Sequence, residues 1–163
     1  MGADLSALGE SVGCLGSRLF VGTLFTRQTY YLAGAGDHRK KVLEMILRAV
    51  QQRGPTEMKV SSSQVKGFTG LDRDVIAIRW SIGYAYVVCF APGKDLFISV
   101  RVTYQPGCLA RMLAILPWFS LEPNVFDVDD LRMLAYCVTT TTQEQLDALQ
   151  LSYMTRGSGA WEK

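Results

Sequence analysis

Histidine occurs once in the 163 residues, as His38, and that scarcity removes the side chain on which most acid–base and nucleophilic sites are built. A catalytic histidine needs an orienting or nucleophilic partner; His38 stands beside Arg39, Lys40 and Lys41 and is read as solvated. Cysteine is sparse too. Cys14, Cys89, Cys108 and Cys137 show no CxxC or other ligand spacing, which argues against a zinc site or a disulfide scaffold and leaves free thiols. A complete phosphate-binding fingerprint is missing: Ala33-Gly34-Ala35-Gly36 lies between a strand and a basic helix, but no GxGxxG and no Walker lysine follow. Asp127, Asp129 and Asp130 lack the alternating ligands and glycine of a calcium loop and read as helix-capping carboxylates. No catalytic residue, metal ligand or cofactor is therefore assigned, and an enzyme is not the expected reading.

What is present is the material of one folded domain. The length is close to the commonest domain size, apolar residues make up 48% and charged residues 20%, and the mean hydropathy is +0.12. That composition excludes a disordered chain. The net charge of +2 conceals a polarity, since residues 1–111 carry 14 Lys and Arg against 8 Asp and Glu, and residues 112–163 carry 3 against 7. Attraction between these two parts within the fold, or between copies, is the simplest consequence. The N-terminus lacks the cationic, apolar and small-residue succession of a secretory signal, so a cytoplasmic location is expected, at most peripheral to a membrane. Met1-Gly2 with Ser6 matches the loose N-myristoylation pattern, which is short enough to arise by chance.

Periodicity divides the chain into residues 1–16, a weak helix or arm; 17–151, a single α+β domain; and 152–163, a flexible tail. In the first, Leu5, Leu8, Val12 and Leu15 form a helical stripe weakened by Gly9, Gly13 and Gly16. Residues 18–32 are aromatic and β-branched, as a strand or hairpin requires. Asp37 is the candidate cap of a helix over 38–53, with Val42, Met45, Ile46, Ala49 and Val50 on one face and Gly54-Pro55 as its stop. The period then becomes two. Met58 and Val60, Ile76 to Trp80, Tyr84 to Phe90 and Leu96 to Tyr104 predict an antiparallel meander over 57–104, with reversals at Ser81-Ile82-Gly83 and Ala91-Pro92-Gly93. A second helix is expected to start at Asp127, with Asp130 completing its cap, and to continue through the Thr139–Thr142 run or to break and recap at Thr142. The fold class is α+β: an antiparallel sheet of about five strands with helices on one face, including a long C-terminal helix.

Three residue sets are candidate sites. Leu113, Leu116, Trp118 and Phe119 lie in the uncharged stretch Met112–Leu121, too short to span a bilayer but well suited to a protein interface. Arg39, Lys40, Lys41 and Arg48 make a basic helix surface, and Trp80, Tyr84, Tyr86 and Phe90 could line a pocket. The leading expectation is a non-catalytic protein-interaction or assembly module, self-associating or part of a larger complex. The alternatives are a carrier of an apolar ligand held between sheet and helix, and a basic surface for an anionic membrane or nucleic acid. Glu44 and two glutamines dilute the basic helix and count against nucleic acid as its partner.

Overall fold

The computed structural model describes residues 23–66, 71–105 and 124–159. Six antiparallel strands form one sheet: β1 (Thr23–Leu32), β2 (Lys59–Lys66), β3 (Asp72–Trp80), β4 (Gly83–Phe90), β5 (Leu96–Tyr104) and β6 (Met154–Gly159). Their spatial order is β2-β3-β4-β5-β1-β6. Among the described residues, helices α1 (Arg39–Arg53) and α2 (Val125–Ala148) join this sheet in an α+β architecture. The meander arises as alternation dictates: β3, β4 and β5 send every second side chain into the core, whereas the edge strand β2 stays largely exposed.

Both helices cover the same face. Val42, Ile46 and Val50 of α1 and Leu131, Leu134, Val138 and Leu146 of α2 share one core with Tyr30, Ile76, Ile78, Val87, Ile98 and Val100 of the sheet. Gly83 shows how closely α2 approaches: a Cβ placed there would stand 2.9 Å from Leu134 Cδ2 and 3.0 Å from Leu131 Cδ2. Cys89 is wholly buried in this core. Burial, reinforced by the nearby Asp74 carboxylate and opposed by Arg39, pushes its thiol up to about 12, so it packs as a small hydrophobe.

The strand count is six instead of about five because part of the expected tail is a strand. Residues Met154–Gly159 pair with the free edge of β1, matching Tyr31 with Met154 and Thr29 with Arg156. The pairing is prepared by Tyr153, whose ring meets the buried Tyr30 edge-on at 5.7 Å and whose hydroxyl donates to Asp147 at 2.9 Å.

Both helix starts differ from expectation. A 3-10 turn over Gly36–His38 precedes α1, so the N-cap is His38 and Asp37 lies within the turn. The Gly36 N–H donates to the Lys94 carbonyl at 2.7 Å, tying this corner to the β4–β5 turn and setting where the helix begins. In α2 the cap is Asn124: its Oδ1 accepts the Asp127 N–H at 2.8 Å, and Asp127 Oδ2 accepts the Asn124 N–H at 3.0 Å. Asp127 is thus the third helical residue of the capping box, in the position expected of Asp130. The helix runs unbroken through its threonines, with Thr141 and Thr142 buried and the Thr142 hydroxyl donating to the Val138 carbonyl at 2.8 Å. Residues 1–16 and the apolar stretch 112–121 lie outside the described residues.

Candidate interaction face

With the described helices on one side, the other face of the sheet displays the alternate residues of all six strands, and their register aligns them in rows across it. The first row is an aromatic ridge in which Met154, Tyr31, Phe97 and Phe90 are successive cross-strand partners. Tyr31 and Phe97 lie 4.8 Å apart between centroids, Phe97 and Phe90 stack at 5.2 Å, and the Arg73 guanidinium sits 5.4 Å from the Phe90 centroid. The second row is low. Thr29, Ser99, Val88, Val75 and Ser63 follow one another, and Ser99 and Val75 are buried between taller neighbours.

Beyond this trough the cations occupy two successive rows, Arg27 and Arg101 in the nearer and Arg79 and Lys59 in the farther. Arg27 is register-paired with Arg101, Arg101 with Tyr86, Tyr84 with Arg79, and Arg79 with Lys59. Arg156 of β6 stands one row away, opposite Thr29. Cation and ring support each other here as well, since the Arg79 guanidinium lies 5.4 Å from the Tyr84 centroid and Tyr84 stacks with Tyr86 at 6.4 Å. At the β1–β6 end the trough opens into a groove of about 520 Å³ lined by Arg27, Thr29, Tyr31, Met154 and Arg156. At the rim, the carboxylate of Asp95 accepts the Tyr31 hydroxyl at 2.9 Å and the Gly34 N–H at 2.9 Å. Those two bonds, the Gly34 one foremost, hold the Asp95 carboxyl below its ordinary value, and the same contact raises the Tyr31 phenol.

The candidate residues from the sequence fall into different places. Trp80 packs against the helix-side core, paired across the hairpin with Gly83, whereas Tyr84, Tyr86 and Phe90 point to the opposite face. The sheet itself separates them, so the four do not line one pocket. The basic surface of α1 is partly consumed: Arg39 pairs with Asp74 at 2.8 Å and donates to the Asp72 carbonyl, and Arg48 pairs with Glu44 one turn away. Lys40 and Lys41 remain exposed on the helix. Leu113, Leu116, Trp118 and Phe119 lie outside the described residues.

The arginines of the open face had only a partial signal in the sequence. Ser99, Arg101 and Thr103 mark the polar side of β5, but Arg27 joins them only through the β1–β5 pairing, and Arg156 only through β6. Among the described residues no helix is long and apolar enough to cross a membrane, and no group of three or more His, Cys, Asp or Glu is placed to hold a metal ion. Comparison with known proteins finds no matching family model, no matching curated protein and no matching solved structure.

Proposed function

We propose that this chain is a non-catalytic interaction module that docks an anionic partner on the face of its sheet opposite the described helices. The supporting observation is the concentration of Arg27, Arg101, Arg156, Arg79 and Lys59 on that face, while the rim carboxylate of Asp95 is already held by Tyr31 and Gly34. Arginine offers several N–H donors from a planar cation, and stacking on an aromatic ring leaves its in-plane donors available to an oxyanion. A heparin column tests the reading directly. Retention to well above low salt, and early elution of an Arg27→Glu/Arg156→Glu variant, is the expected result; coincident elution of both proteins at low salt refutes it.

A second reading, self-assembly, is favoured by a different surface. Phe126, Met133 and Tyr136 lie on the outer side of α2 and are 81%, 62% and 74% exposed. Two α2 helices antiparallel about the level of Leu131 would bring Phe126 of each copy to the level of Tyr136 of the other, a self-complementary contact of the kind a two-fold dimer needs. Light scattering behind size-exclusion chromatography decides it: a dimer that Tyr136→Glu dissociates is expected, and a wild-type monomer at high concentration overturns it.

A further inference from the structure

Resting on the docking reading above, we infer that the occupant of the open face is a single-stranded nucleic acid lying in the trough across the strands. Shape and charge together point to it. The cations step diagonally over the face: Arg156 ends the floor row, Arg27 and Arg101 stand one row beyond it, and Arg79 and Lys59 one row further, with Arg73 on the ridge side beside Phe90. With strands about 4.8 Å apart, that diagonal crosses about 24 Å of sheet, enough to follow several consecutive phosphates of an extended strand.

Across the low floor formed by Thr29, Ser99, Val88 and Val75, the facing wall is the ridge of Tyr31, Phe97 and Phe90. A linear polyanion that carries a flat apolar group on each repeat matches both walls at once, with phosphates on the arginine side and bases against the ridge. The other anionic partners match one wall only. A membrane is a plane and has no use for a trough, a duplex hides its bases and presents a convex backbone to an open sheet, and an acidic peptide has carboxylates but no planar group to meet the ridge. The groove of about 520 Å³ at the β1–β6 end is where the two walls stand on either side of Thr29.

Fluorescence anisotropy with a labelled oligothymidylate of about ten nucleotides is the test, since single-strand sites cover roughly 4–16 nucleotides per domain. The full chain should bind it with a log–log salt slope of about −2 to −3, the value for three or four phosphates on a single strand. A hairpin duplex, vesicles containing phosphatidylserine and polyglutamate should bind or compete at least tenfold less well. Arg27→Gln/Arg156→Gln should weaken binding roughly tenfold and flatten the slope, because both lost contacts are to phosphate. Phe97→Leu should weaken binding at an unchanged slope. A circular dichroism melt matching the wild type certifies each variant as folded, and Tyr31→Leu replaces Phe97→Leu if the latter is not. Absence of oligonucleotide binding, equal or tighter binding of duplex, vesicles or polyglutamate, or charge variants that bind like the wild type overturns the inference. Heparin retention without oligonucleotide binding would leave the docking reading standing and remove this one.

Discussion

Arg27 of β1 and Arg101 of β5 occupy paired positions on the open face, in neighbouring strands, with Arg156 one row away on β6. Arg101 Nε donates to Ser99 Oγ at 3.4 Å within its own strand. Like charges directly opposite one another weaken a ladder by their mutual repulsion.

Replacing Arg27 by Thr, a good strand residue without charge, should therefore stabilise the unliganded protein by about 0.2–1 kcal/mol in low-salt urea unfolding. The gain should shrink in about 1 M salt, where the screening length falls to about 3 Å. A loss of stability at every salt concentration would show that Arg27 is held by favourable contacts instead.

Asp74 points to the helix side of β3 and pairs with Arg39 in the first turn of α1 at 2.8 Å, with the two side chains 11% and 19% exposed. Asp74→Ala strands a largely buried cation and should cost about 2–4 kcal/mol in chemical denaturation. The double change Asp74→Leu/Arg39→Leu should cost less than the sum of the two single changes, since neither charge then remains unpaired. Strict additivity would mean that the pair is not coupled.

The rim contact between Tyr31 and Asp95 predicts a pH dependence with a defined sign. Asp95 has a folded value below its ordinary 3.8, so its contribution is present above that value and is lost as the pH falls through the lowered one. Tyr31 has a folded value above 10.0, so its contribution is present below 10.0 and lost as the pH rises through the raised one. Urea midpoints of Asp95→Asn should thus lie below the wild type at neutral pH and converge with it in acid. A gap that persists unchanged at the most acidic pH would exclude Asp95 as its source.

Gly36 is required by a close approach. A Cβ there would lie 2.8 Å from the Gly93 carbonyl oxygen and 2.9 Å from that of Lys94, both backbone atoms that cannot swing aside. Gly36→Ala should cost about 1–3 kcal/mol and weaken the Gly36 N–H bond to Lys94, visible as faster amide exchange at that corner. Wild-type stability and exchange would show that the β4–β5 turn yields freely.

Much of the fold is legible because two periods are written plainly into the chain. Val42, Ile46 and Val50 recur at helical spacing and are buried as that spacing implies, and Ile76, Ile78, Val87, Cys89, Ile98 and Val100 alternate into the core. The edge strand β6 was not legible. Met154–Gly159 has little strand propensity, and its partner groups belong to the open edge of β1, far away in sequence. The cap of α2 was misplaced by one helical turn because Asn124 and Asp127 satisfy the same rule as Asp127 and Asp130, and only the backbone path into the helix selects between them.

The sequence by itself determined the helices, the meander and which side of each strand is apolar, because these follow from local spacing and from the drive to bury one face. Only the tertiary structure decided that β1 lies between β5 and β6, and with that order came the candidate site. Alternation places Arg27, Arg101 and Tyr86 each on the outer side of its own strand. Hydrogen-bonded pairing between segments distant in the chain brings them into one row, and no local pattern encodes that pairing.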